Sequence, residues 1–185
     1  MKFDPKRLRK TVLDMVYSGS TVHIGCAFSI IEILSVLYKN HLCYPNNDPN
    51  NLYRDYFLLS KGHGVMAQYA CMREKGWISN ADILNYFKNG TNLKGLADSH
   101  IPGIEVITGS LGHGFSVGVG LALSSKLNST AQKTFVLVGD GEINEEPICE
   151  GALFASHHNL DNFIVIIDEN GYQAMGSTNK ILDLD

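Results

Sequence analysis

The sequence predicts an α/β fold, a parallel sheet layered between helices. Three observations predict it. Two long apolar runs, KTFVLVGD (133–140) and NFIVIIDEN (162–170), are continuous rather than alternating. That pattern suits strands buried on both faces. The stretch between them, about 146–158, has helical character. Strand, helix, strand is the crossover that joins parallel neighbours. A third, shorter run, DYFLLS (55–60), meets Gly62 and Gly64 and then a helical stretch over 65–75. Helices packed on a mostly parallel sheet make a three-layer arrangement.

The remaining elements follow in order. Leu8, Val12 and Met15 recur at i, i+4, i+7, which predicts an amphipathic helix over 6–17. SIIEILSVLYKNHL reads as a second helix, with Ser29 and Glu32 spaced as a capping box. YPNNDPNNLYRD is a loop rich in Asn, Pro and Asp. Ser79 and Asp82 open another helix, to about Lys88. Residues 89–109 carry four glycines and one proline and read as irregular. A helix follows from SLGHGFSVGVGLALSSKL, with Ser110 as its cap. Gly114, Gly118 and Gly120 inside it cost about 1 kcal/mol each against Ala. That cost implies close approach of a backbone or a bulky ligand.

The chain has 185 residues, the size of one domain, and 44% hydrophobic content, ordinary for a globular core. The formal charge of -4 and the lack of a dense Lys/Arg block speak against nucleic acid. Lys6, Arg7, Arg9 and Lys10 read as a solvated helix face. The four cysteines lack CxxC spacing, so neither a zinc site nor a dithiol motif is predicted. There is no signal-peptide apolar region, and no run approaches the roughly 18 residues that span a bilayer. The expected location is the cytoplasm.

Ligands of open parallel sheets lie beyond the carboxyl ends of the strands. Asp140 and Asn170 stand there, each closing one of the two strong runs. Gly139 and Gly141 leave the backbone bare around Asp140, which suits a phosphate. One carboxylate and one amide oxygen are too few for calcium. They make a partial site for Mg²⁺, which takes phosphate and water for its remaining positions. The inferred guest is a magnesium–phosphate pair. The plainer alternative is that Asp140 only ends a strand and Asn170 only caps a turn.

These residues also carry a family resemblance. GDGE, with Asn170 thirty positions after Asp140, resembles the thiamine-diphosphate motif. LSKGHG (59–64), PGIEVITGSLGHG (102–114) and HHNLDNFIVIIDENGYQAMG (157–176) are similar, in order, to the amino-terminal half of transketolase. STVHIG (20–25) is a looser match to that family's SGHPG. The resemblance implies that Asp140, Asn170 and the Tyr172 carbonyl bind Mg²⁺. It implies that Gly141, Gly109, Leu111 and His63 touch thiamine diphosphate together with Asp140 and Asn170. His23 and His63 would face the reacting sugar and the thiazolium, where imidazoles can move protons near neutral pH. Glu145 and Glu150 match carboxylates that link paired sites across a dimer interface. Without the resemblance, Asp140, Glu142, Glu145, Glu146 and Glu150 read as an acidic helix start. His113, His157 and His158 read as surface or core. Leu96 stands where the family carries a His, with Ala97 in place of the following Pro, and His100 could substitute only if the loop shifts. Ile24 also replaces a Pro, and Glu146 and Pro147 replace small residues.

The resemblance implies a thiamine-diphosphate-binding domain over 1–185 and a split arrangement. No segment resembles the family's pyrimidine domain, so a separate carboxy-terminal transketolase-like subunit is the expected partner, within a homo- or hetero-oligomer. The assembly would transfer a two-carbon ketol unit between sugar phosphates. Only three clear strands are visible, from which we expect either a covered sheet edge or a domain truncated at its carboxyl end. Two other readings are a subunit of another thiamine-diphosphate enzyme, such as a deoxyxylulose-phosphate synthase or a dehydrogenase component, and a non-catalytic remnant or interaction partner.

Overall fold

The computed structural model describes residues 2–19, 23–174 and 176–182. Ser20, Thr21 and Val22, half of the STVHIG segment, lie outside the described residues. The chain forms two compact units. One holds the residues up to Arg54 together with Gly62–Ile107, and the other holds Asp55–Lys61 with the residues from Thr108 onward.

The first unit is helical. α1 (Pro5–Ser18) starts where Asp4 accepts from Lys6 N at 3.1 Å and Pro5 fills the first turn. Leu8, Val12 and Met15, the predicted stripe, are completely buried. The helix predicted from Ser29 forms as α3 (Ile31–Val36) continued by a π turn over Leu37–His41, and a further short helix, α2 (Ile24–Ser29), precedes it. Tertiary and local partners defeat the predicted capping box. Ser29 Oγ donates to the Cys26 carbonyl at 3.1 Å, and Glu32 is held by Arg9 at 2.6 Å. α4 (Val65–Lys75) ends at Gly76, which is left-handed at φ 85°. α5 (Asn80–Leu84) carries the predicted capping box of Ser79 and Asp82 in full. It stops at Leu84 rather than near Lys88.

The second unit holds the sheet. β1 (Tyr56–Leu59), α6 (His113–Leu127), β2 (Thr134–Gly139), α7 (Glu146–His157) and β3 (Phe163–Asp168) follow in order. The strands run parallel in the order β1-β2-β3. β4 (Tyr172–Gln173) and β5 (Gly176–Ser177) form a small hairpin, and α8 (Thr178–Ile181) follows. Every residue of β2 is buried, and Val136, Leu137 and Val138 are wholly so. Each such side chain contributes about 1.5–3 kcal/mol. β3 departs from the expectation of a strand buried on both faces. Val165 is 40% and Ile167 49% exposed, because only β2 has a neighbouring strand on each side among the described residues.

α6 packs on β1 and β2, and α7 packs on α6. α6 starts at His113, not at Ser110. Its cap is Gly112, at φ 82°, a conformation Ser110 would resist. Two of its three internal glycines sit at close approaches. A Cβ on Gly114 would lie 2.7 Å from Ser60 Cα, and one on Gly118 would overlap Val136. Gly120 faces open space, and nothing in the structure explains it.

Candidate cofactor site

The register of the sheet brings three polar segments to its carboxyl end. Ser60 and Lys61 follow β1, Asp140–Glu142 follow β2, and Asp168 ends β3 opposite Gly139. Asp140 is 2% exposed. Its two oxygens accept from Gly141 N at 2.9 Å and Gly171 N at 2.8 Å. The second bond ties it to the turn that starts at Asn170. In that turn Tyr172 N donates to Asn170 Oδ1 at 3.0 Å, an Asx turn. Asp140 and the 170–172 turn, taken from two separate strand ends, are therefore joined directly.

Sequence reasoning missed the groups that hold this end together. Lys61 Nζ meets Asp168 Oδ2 at 2.5 Å, with both side chains more than 90% buried. The lysine crosses above β2 on the way. A Cβ on Gly139 would lie 3.2 Å from Lys61 Cδ, which accounts for the first glycine of GDG. Glu142, read from sequence as part of an acidic helix start, is 2% exposed. It accepts from Ser60 Oγ at 2.5 Å, Gly112 N at 2.8 Å and Gly139 N at 3.2 Å. Asp140 caps a 3₁₀ turn over Gly141–Asn144 that has Glu142 in its first turn, and Glu145 and Glu146 open α7, so the acidic run does start helices, but its first two members also serve the sheet end. The signals were present: a lysine straight after an apolar strand in LSKG, and an aspartate closing FIVIID.

Gly109 and Leu111 lie in a loop fastened at both ends. Thr108 Oγ1 donates to the Leu59 carbonyl at 2.7 Å, and Gly112 N donates to Glu142. Glu145 and Glu150 are exposed, the first just before α7 and the second within it. His113, His157 and His158 are exposed, on the surface side of the alternatives.

Formal charges favour a cation at the sheet end. Asp140, Glu142 and Asp168 are three formally acidic side chains against one basic one, Lys61, which pairs with Asp168, and all four are buried. Among the described residues no group of three or more His, Cys, Asp or Glu side chains is arranged to hold a metal. A cation here would therefore rest on one carboxylate plus neutral oxygens, the Asn170 amide and the Tyr172 carbonyl. These are hard donors, few in number, and they leave positions for phosphate and water, which is the demand of Mg²⁺. The residues present fit a magnesium–diphosphate guest.

His23 and His63 are gathered in the helical unit. Their ring centroids are 4.9 Å apart with the planes tilted by 52°. His23 is left-handed at φ 63°, a strained conformation for a side chain of this size and frequent at functional positions. A cavity of about 510 Å³ opens beside it, lined in part by Tyr86, Phe87, Lys94, Leu96 and Asp98. Leu96 itself lines this cavity, 44% exposed. His100 does not. Its ring is fixed by Asp98 at 2.9 Å and by the Asn92 carbonyl at 3.0 Å.

A parallel sheet whose carboxyl end carries GDG, a joined Asx turn and buried carboxylates defines an α/β domain of the kind whose ligands lie beyond the strand ends. Comparison with known proteins agrees. Residues 5–185 match the family described as "Transketolase, thiamine diphosphate binding domain". An apulose-4-phosphate transketolase subunit of Phocaeicola vulgatus is 39% identical over 100% of this chain and 66% of its own length. A 6-deoxy-6-sulfo-D-fructose transketolase subunit of Clostridium sp. is 37% identical over 96% of this chain and 65% of its own. The transketolase of Leishmania mexicana superposes with a TM-score of 0.90 at 30% identity, covering 97% of this chain and 28% of that one. The chain belongs to the transketolase thiamine-diphosphate-binding family. It spans about two thirds of the length of the two subunit relatives. Among the described residues no helix is long and apolar enough to cross a membrane.

Proposed function

We propose that this chain is the thiamine-diphosphate-binding subunit of a split transketolase. With a separate pyrimidine-domain subunit it would transfer a two-carbon ketol unit from a ketose phosphate to an aldose phosphate, in the cytoplasm. The observation that carries the reading is the junction of Asp140 with the 170–172 turn, at 2.8 Å, in a chain of this family. Relatives that are themselves named as single subunits of transketolases support the division of labour.

In this reading Asp140, Asn170 and the Tyr172 carbonyl hold Mg²⁺, which in turn anchors the diphosphate. Gly141, Gly109 and Leu111 present backbone and a short apolar side chain to the cofactor. Thiamine diphosphate, when bound, supplies the carbanion chemistry. The chain's own residues bind, orient and move protons. His23 and His63 each have ring nitrogens suited to exchanging protons with hydroxyl and carbonyl oxygens of the sugar. Glu145 and Glu150, both exposed, are assigned to a subunit interface.

The test is titration with Mg²⁺ and thiamine diphosphate, for the chain alone and for the chain mixed with its partner. Uptake of both ligands and ketol transfer by the mixture are expected. Asp140→Ala in the assembled enzyme should abolish metal-dependent cofactor binding. Unchanged affinity would remove the metal assignment.

A further inference from the structure

The buried ion pair of Lys61 and Asp168 has no part in the assignments above. An ion pair this deeply buried is poor at adding stability, because desolvation offsets much of the attraction. Its geometry suggests another use. Asp168 Oδ2, the oxygen that Lys61 Nζ meets at 2.5 Å, also takes Asn170 Nδ2 at 2.9 Å.

A side-chain amide can sit either way round, and its neighbours decide which. Asp168 Oδ2 accepts from Lys61 Nζ and so stands before Asn170 as an acceptor. It must therefore face the amide nitrogen of Asn170. Tyr172 N–H can only donate, so it must face the amide oxygen, as it does at 3.0 Å. Two independent partners thus select one orientation, in which Oδ1 accepts from Tyr172 N within the turn that Asp140 also touches through Gly171 N.

We propose that Lys61 and Asp168 are positioning residues that fix the amide of Asn170 with its oxygen presented to the cation. This rests on the metal role proposed for Asn170. Lys61 acts at one remove: it holds Asp168 in place, and Asp168 holds the amide. Gly139 belongs to the same device, since its missing side chain leaves the path by which Lys61 crosses the central strand. Groups that orient metal ligands in this way are typically worth about 10–100-fold in metal affinity.

The experiment compares wild type, Asp140→Ala, Asp168→Asn and the double variant Lys61→Met/Asp168→Leu, each with and without the partner subunit. Mn²⁺ binding in the presence of thiamine diphosphate is read by electron paramagnetic resonance, and folding by thermal melting. The double variant replaces the pair with apolar groups of similar size, which proteins often tolerate. It should melt close to wild type yet bind Mn²⁺ about 10–100-fold more weakly. Asp168→Asn keeps an acceptor for the amide and should retain more of the affinity. A folded double variant binding within about twofold of wild type, while Asp140→Ala does not bind, would overturn the positioning role and leave the metal site standing. Should wild type and Asp140→Ala behave alike, the metal site and this inference fall together. Should the double variant not fold, the side-chain amide of Asn170 in wild type decides by nuclear magnetic resonance. Its Nδ2 hydrogens should stay protected when Mg²⁺ and thiamine diphosphate are added, while its carbonyl carbon shifts. Loss of that protection would mean that the amide turns, and would refute the inference.

Discussion

The carboxyl end of the sheet and the cavity beside His23 are both polar, and they are built in opposite ways. At the sheet end each charged group is buried and answers to another: Lys61 to Asp168, and Glu142 to three donors. Around the cavity, His23, Phe87 and Leu96 are exposed, and the polar side chains Lys94 and Asp98 stand among apolar ones. The first arrangement ties the fold to the site, so that a change there is felt by both. The second leaves groups accessible that the fold does not need. Substitutions should therefore separate the two regions: changes at the sheet end lower stability, whereas changes around the cavity lower turnover and leave stability largely intact.

The sharpest separation is expected from Glu142→Ala. It strands Ser60 Oγ and two backbone N–H groups without their acceptor, in a place with 2% exposure. A loss of about 3–5 kcal/mol is expected, measured by denaturant unfolding. In a chain of this size that lowers the melting temperature by roughly 6–20 °C. A variant as stable as wild type would show that the sheet end is less interlocked than its hydrogen bonds suggest.

His63→Ala should do the reverse. The half-buried imidazole lies in a short turn over Gly62–Gly64. Its removal is expected to leave the melting temperature within a few degrees, while ketol transfer by the assembled enzyme falls about a hundredfold or more. Steady-state kinetics and a melting curve on the same preparation check both halves. A large loss of stability with turnover preserved would invert the comparison.

Two glycines sharpen it within the second unit. Gly139→Ala places a methyl 3.2 Å from Lys61 Cδ, and the lysine must give way; about 1–2 kcal/mol should be lost. Gly120→Ala, in α6 with nothing within 4 Å, should gain about 0.5–1 kcal/mol through helix propensity. Opposite signs in urea unfolding are the expected result.

Much of this was legible in the sequence, and the failures share a cause. The strands could be read because a continuous apolar run this short, bounded by turn residues, suits a buried strand better than a helix. GDG with Asn170 could be placed because parallel strands bring their ends together. The capping box of Ser79 and Asp82 was readable because both its partners are local. That of Ser29 and Glu32 was not, since Arg9, far away in sequence, takes the glutamate. Lys61, Asp168 and Glu142 were missed for the same reason. Their partners come from other strand ends, and neither periodicity nor spacing records a tertiary pairing. Exposure of β3 was equally hidden: an apolar run states what a strand prefers, not how many neighbours it has.

The smallest effect concerns His100, the residue that could have taken the place of the histidine absent at Leu96. Both of its ring nitrogens face acceptors, Asp98 Oδ1 at 2.9 Å and the Asn92 carbonyl at 3.0 Å. Each nitrogen therefore favours a proton, and the ring favours imidazolium. The hydrogen bond to Asp98, foremost, raises the His100 pKa above its ordinary value, and the same bond lowers that of Asp98. A raised imidazole value means that the contact is fully stabilising below the unfolded-state pKa and is lost as pH rises through the folded one. A lowered carboxylate value means that it is present above the ordinary aspartate range and is lost as pH falls through the folded value. The contact should thus hold through mildly acidic pH and fade at both ends. Titrating the His100 ring by nuclear magnetic resonance should give a midpoint above the ordinary imidazole value, which Asp98→Asn returns towards normal. With the ring so engaged, His100→Ala should change turnover far less than His63→Ala. An equal loss would move His100 into the catalytic set and erase the distinction between the His23–His63 pair and its tethered neighbour.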